Sequence, residues 1–177
     1  MLIPDKFPVL ATQRLQLVEI QHSHQPDLFY LLTDKRVTRY YHVIPLADVA
    51  DVRKVVDLFA RQFAEKAGIR WGIALQGRQE LIGFIGFTGF QPPMMVFALV
   101  QEYWGKGLMG EAIKAVADYT FNTLQVDKIQ AQVLPGNTAS ERVLAKSGFL
   151  GNGLIKDGME WAGKSYDINL FTLENYL

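Results

Sequence analysis

Gly105-Lys106-Gly107-Leu108-Met109-Gly110 is the stretch on which the fold turns. A strand-like run from Met94 to Val100 precedes it, and an amphipathic helical pattern from about Leu108 to Leu124 follows. In that helix Met109, Ile113, Val116 and Thr120 recur with Ala112, Ala117, Phe121 and Leu124 at three- and four-residue spacing. Glu111, Lys114, Asp118, Asn122 and Gln125 form the opposite, polar stripe. The glycines therefore occupy a strand-to-helix turn. There glycine lets the backbone approach an anion, and the unpaired N–H groups of the first helical turn favour phosphate.

A GxGxxG run of this kind also suits a dinucleotide. That reading needs an acidic side chain about twenty residues on, at the end of the next strand, to hold a ribose. The next strand-like run, Lys128 to Leu134, ends in Pro135 and Gly136 with no carboxylate, and Asp127 lies before it, at the wrong end. The chain after Gly110 is also too short for a full doubly wound sheet. A phosphate site that is not a dinucleotide site is the reading retained, with a Gly-rich turn that holds nothing as the bland alternative.

Outward from the glycines, the pattern gives a strand over Arg14 to Ile20, with Leu15, Leu17 and Glu19 on one side, and a helix over Gln25 to Thr33. A turn-rich stretch ends at Tyr40, Tyr41 and His42. A second helix covers Asp48 to Ala67, with Val52, Val55, Val56, Phe59 and Phe63 as its apolar stripe. Ile69 to Leu75 and Leu81 to Phe90 read as strands joined at Gln76, Gly77 and Arg78. Asn137 caps a helix that closes at Gly148, and Phe149 to Lys156 and Ser165 to Leu173 form a last hairpin turning at Trp161, Ala162 and Gly163. Residues 1–177 thus read as a single α/β domain, of α+β mixed kind: a twisted, mostly antiparallel sheet of six to seven strands, splayed at one parallel pair, with helices on both faces.

Composition narrows the function. Lys plus Arg and Asp plus Glu each number 18, so no net field recruits nucleic acid or an anionic membrane surface. There is no cysteine, which removes disulfides, thiolate metal sites and a cysteine nucleophile. No run approaches a membrane span, the first residues do not read as a signal peptide, and a cytoplasmic location is expected.

Tyr103-Trp104-Gly105-Lys106-Gly107-Leu108-Met109-Gly110-Glu111-Ala112 resembles the CoA-pyrophosphate signature of the GNAT superfamily of N-acetyltransferases. Asn137-Thr138-Ala139-Ser140, with Val143-Leu144-Ala145-Lys146-Ser147-Gly148-Phe149, resembles that family's second motif in the form found in the branch that acetylates ribosomal-protein N-termini (alanine or serine). The element order agrees over the whole chain, including the opening Thr12-Gln13-Arg14-Leu15 and the closing Tyr166-Asp167.

The resemblance implies acetyl-CoA as cosubstrate, no metal, and an amine acceptor: a protein N-terminus or a small molecule such as a polyamine, amino acid or antibiotic. It implies a monomer or homodimer. Leu99, Val100 and Gln101 would pair with the pantetheine arm as an added strand. Trp104 belongs to the same signature, and Gly105, Lys106, Gly107, Leu108, Met109 and Gly110 would offer amides to the pyrophosphate. Asn137 would reach the pantetheine arm as well as cap its helix. Methionine at 109, where the family commonly has glycine or alanine, is compatible if its side chain turns into the core.

Two usual catalytic groups are missing. The tyrosine that protonates the departing thiolate in many members is replaced by Leu144, as in the ribosomal-protein branch, and the slot of the usual glutamate base falls at Met94. Ser140 is the candidate acid, and His42 and Glu160 are candidate bases near the acceptor side. His22 and His24 receive no role, and Trp71 and Trp161 read as packing residues. The missing groups also leave open a silent acyl-CoA-binding module.

Overall fold

The computed structural model describes residues 3–41 and 46–175. Among these, eight strands form one sheet: β1 (Leu10–Ala11), β2 (Leu15–Glu19), β3 (Ile69–Leu75), β4 (Leu81–Phe90), β5 (Pro93–Leu99), β6 (Lys128–Val133), β7 (Leu150–Trp161) and β8 (Lys164–Glu174). Their order is β1-β2-β3-β4-β5-β6-β8-β7, antiparallel throughout except for β5 and β6. The described α-helices are α1 (Gln25–Thr33), α2 (Lys35–Thr38), α3 (Val52–Ala64), α4 (Leu108–Asn122) and α5 (Thr138–Lys146).

The two faces of the sheet are both apolar, because successive side chains on a strand point to opposite sides. On one face Leu28 and Leu31 of α1 and Val52 and Val56 of α3 bury Ala74, Phe84, Ala98 and Val100. On the other, Ile113 and Val116 of α4 and Leu144 of α5 bury Trp71, Ile85, Phe87 and Ile129. Trp71 is fully buried between Phe7 and Tyr119, and its indole donates to the Pro8 carbonyl at 2.6 Å. It is a packing residue, as its setting in the sequence suggests.

The functionally decisive feature is how briefly the parallel pair lasts. β5 and β6 are in register only at Met94 with Gln130 and Met95 with Ala131. β5 then stays with β4 as far as Gly83 opposite Leu99, while β6 stays with β8 as far as Val133 opposite Asn169. From Val96 onward the sheet is split, with α4 and α5 on one face of the sheet and the α1–α3 layer on the other.

The sequence expectations differ from this in a few places. β1 has two residues, too few for alternation to show, and makes eight strands where six to seven were expected. Within the turn-rich stretch, Asp34 caps α2 by accepting from the Arg36 N–H at 2.9 Å. The helix expected from Asp48 opens with a 3₁₀ turn over Val49–Asp51, and α3 ends at Ala64. β7 runs five residues past Lys156, to the hairpin tip at Trp161. Glu19 is exposed, whereas Leu15 and Leu17 are fully buried.

Candidate active site

Hydrogen-bond direction on β5 defines the first wall of the gap. Val100 gives its N–H to the Ile82 carbonyl at 2.8 Å, toward β4. Alternation along the strand then sends the N–H and C=O groups of Phe97 and Leu99 the other way, into the gap. The Val100 carbonyl accepts from the Tyr103 N–H at 3.0 Å. Both main-chain groups of Val100 are therefore engaged within the chain, in the stretch Leu99, Val100 and Gln101 that the resemblance assigns to the pantetheine arm. Trp104, whose ring is exposed, folds back so that its indole N–H donates to the Leu99 carbonyl at 2.6 Å.

The glycine run follows at once. Gly105 and Gly107 have φ of 73° and 74°, a left-handed conformation that glycine adopts without steric cost. Nothing lies within 4 Å of where a Cβ on Gly105 would stand. Gly107 is the N-cap of α4 and supplies no side chain. The first amide satisfied within the helix is Glu111, bonded to the Gly107 carbonyl at 3.1 Å. The amides before it are thus left for a ligand or solvent, at the positive end of a 15-residue helix. Leu108 and Met109 are buried, so methionine at 109 costs the backbone cradle nothing. Gly110 faces α5, where a Cβ would meet Ser147 Oγ at 3.9 Å.

Glu111 is not on a solvated stripe. Its carboxylate accepts from Thr12 Oγ1 at 2.5 Å, from the Arg14 N–H at 2.9 Å and from Arg14 Nε at 2.6 Å. Burial alone would raise its pKa, but the bonds from Thr12 and Arg14, together with the Arg14 charge, outweigh it and hold the carboxyl below its ordinary value.

Across the gap, Asn137 caps α5 through Oδ1, which accepts the Ser140 N–H at 3.3 Å. That leaves its Nδ2 for a second role. Ser140 is half-buried, and no hydrogen bond engages its Oγ among the described residues. Leu144 is fully buried in the core, so no acid stands at that position. Met94 lies at the parallel register pair with Gln130 and supplies no base.

The second face of the gap is set by residues the sequence did not single out. Tyr41 packs edge-on against Phe84 with ring centroids 5.5 Å apart, and Phe84 is opposite Ala98 of β5. Its phenol feels the charge of the buried Arg70 guanidinium, which donates to the Phe87 carbonyl. Burial pushes the Tyr41 phenol up and the Arg70 guanidinium down. Tyr40, one residue earlier, turns its hydroxyl to within 3.5 Å of where a Cβ on Gly136 would stand, just past β6. Residues 40 and 41 thereby span the split from β4 to the β6–α5 loop. The Arg39 guanidinium lies 5.2 Å from the centre of the Tyr40 ring.

The candidate bases fare differently. His42 lies outside the described residues. Glu160 is exposed at the β7–β8 tip, opposite Ser165. That pair lies four residues beyond Asn169, or about 13 Å past the end of β6 on the open side of the split. Glu102, directly after β5, accepts from the Tyr30 hydroxyl at 2.7 Å. That bond holds its carboxyl low, which makes it a poor proton acceptor. Among the described residues no cluster of His, Asp or Glu is placed to hold a metal ion, and no helix is long and apolar enough to cross a membrane.

A chain with this split and this cradle has many counterparts among known proteins. Residues 14–150 match the acetyltransferase (GNAT) domain family. The uncharacterized N-acetyltransferase YoaA of Bacillus subtilis is 33% identical over 171 residues, covering 94% of this chain and 97% of that protein. A Salmonella typhimurium acetyltransferase described as modifying the N-terminal serine of ribosomal protein L7/L12 superposes with a TM-score of 0.83 at 18% identity, over 95% of this chain and 99% of its own. RimL, the ribosomal L7/L12 α-N-protein acetyltransferase, solved with coenzyme A, gives 0.82 at 19% identity, over 94% and 98%. The family match, with the split β5–β6 edge beside a glycine-capped helix, places this chain in the GNAT family of acyl-CoA-dependent N-acetyltransferases.

Proposed function

We propose that this protein transfers an acetyl group from acetyl-CoA directly to an amine, with a protein N-terminal α-amine as the preferred acceptor. The observation that carries the reading is the unpaired edge of β5, the main chain of Phe97 and the N–H of Leu99, leading into the uncapped amides of α4. An extended pantetheine arm pairs with the first as an added strand, and a pyrophosphate satisfies the second. Asn137 Nδ2 reaches the arm from the other side.

In the transfer step the amine nitrogen bonds to the acetyl carbon, the carbon–sulfur bond breaks, the sulfur leaves as thiolate, and the nitrogen sheds a proton. The Leu99 N–H faces the gap where the carbonyl oxygen gathers negative charge. The proton shed by the nitrogen ends on the thiolate, relayed through water or the Ser140 hydroxyl, which gives one proton to the sulfur as it takes another and is left unchanged. A thiol of pKa near 8.5 is already a good leaving group, so this help is modest.

Acceptor choice follows from the absent base. An α-amine with pKa near 7.7–8.0 is roughly a tenth neutral at pH 7, whereas a lysine amine near 10.4 is neutral less than about one part in a thousand. An enzyme with no strong base at Met94 and no acid at Leu144 therefore favours an α-amine. The ribosomal-protein N-terminal acetyltransferases among the structural neighbours agree with this preference. Release of free CoA thiol from acetyl-CoA, measured against α-amine peptides, lysine side chains and small amines, tests it. Faster turnover of lysine at neutral pH would overturn the preference. Binding of acetyl-CoA with no turnover of any amine would leave the silent module, the reading that buried Leu144 favours.

A further inference from the structure

Glu111 places a carboxylate in the first turn of α4, the turn whose amides are free to meet a pyrophosphate. An acidic residue there suits an unliganded helix but repels a bound anion. Arg14 removes the conflict. Its Nε is 2.6 Å from Glu111 Oε2, its Nη1 donates to the Lys106 carbonyl at 3.0 Å, and its Nη2 lies 3.6 Å from where a Cβ on Gly107 would stand.

The bond to Lys106 has a geometric consequence. In a planar trans peptide the carbonyl and the following N–H point in opposite directions. Turning the Lys106 carbonyl toward Arg14 therefore aims the Gly107 N–H away from it, to the side left open for an anion. We infer that Arg14 is a positioning residue for acyl-CoA: it neutralises Glu111 and fixes the Lys106–Gly107 peptide so that the cradle presents amides and a net positive field to the pyrophosphate. This rests on the acyl-CoA reading of the same site.

The test is direct binding of acetyl-CoA to the full chain, with kcat and KM measured beside it. Arg14→Met is expected to weaken binding about tenfold, the effect of one uncompensated charge at a helix terminus. At saturating acetyl-CoA its kcat should stay within about twofold of the parent. Glu111 retains its Thr12 and main-chain partners in that variant, so the fold should persist, which a melting curve checks. The double variant Arg14→Met/Glu111→Gln should recover most of the loss, because the unpaired carboxylate is gone. Arg14→Lys should fall between, since one ammonium cannot reach both Glu111 and the Lys106 carbonyl in the same fork. 3′-Dephospho-CoA should show the same penalty as CoA.

Unchanged affinity in Arg14→Met, no recovery in the double variant, or a penalty that vanishes with 3′-dephospho-CoA would each overturn the inference. Failure of the parent protein to bind acetyl-CoA would instead sink the proposed function.

Discussion

On the β5 side of the split, the exposed surface is main chain: the amides of Phe97 and Leu99 and the Phe97 carbonyl, then the left-handed Gly105 and Gly107 and the first turn of α4. On the side proposed for the acceptor it is side chains, Tyr40 and Tyr41 after α2 and Glu160 at the β7–β8 tip. A surface made of backbone needs residues with little to put in the way, and they fall in one unbroken stretch of sequence. A surface made of side chains draws single residues from distant segments, and their neighbours in sequence carry no trace of it. Under the proposed function, the contrast separates a cosubstrate recognised by what every peptide has from an acceptor recognised by what only certain residues have.

The largest expected effect breaks the main-chain wall. Gly107→Val forces a β-branched residue into φ of 74°, a strain of about 1–3 kcal/mol, and takes amides away from the ligand. Acetyl-CoA binding, measured by titration, should weaken about a hundredfold. Ser140→Ala probes the junction of the two walls. Its kcat should fall about tenfold, below the usual range for a general acid because the thiolate leaves readily, while KM for acetyl-CoA stays put.

Tyr40→Ala opens the side-chain wall. We expect KM for the acceptor to change about fivefold, a loss of roughly 1 kcal/mol of contact, with acetyl-CoA binding unaltered and bulkier amines newly accepted. Equal shifts for both substrates would show that the two walls are not separable.

The smallest effect concerns stability. The Glu111 carboxyl is held below its ordinary pKa, so its contribution is present above the ordinary carboxylate range and is lost as pH falls through the depressed value. Glu111→Gln should destabilise the protein by about 1 kcal/mol at pH 7, a figure kept low by the solvent around Arg14, with the difference shrinking toward zero in acid. Urea unfolding at a series of pH values measures it.

The same contrast explains what was legible in the sequence. α1, β3 and β4 fall where periodicity puts them, because each buries a regular set of side chains against the sheet. β1 escapes because two residues hold no period. Asn137 reads as a cap, and is one, because capping is local. Glu111 reads only as one of a polar stripe because its partners Thr12 and Arg14 lie nearly a hundred positions earlier. Tyr40 reads as a turn residue because Gly136 does too, and nothing in either neighbourhood points to the other.

The sequence by itself determined the glycine-rich strand-to-helix turn and the two helix-faced layers, since each depends on residue type and short-range spacing. Only the tertiary structure decided where the sheet splits, which main-chain groups of β5 turn into the gap, and that Val100 is spent on β4 and β5's own end. It also decided that Arg14 and Glu111 close on the glycine run and that Tyr40 reaches across to Gly136. Strand pairing, hydrogen-bond direction and long-range ion pairs are settled by which elements meet in space, and no local pattern encodes that.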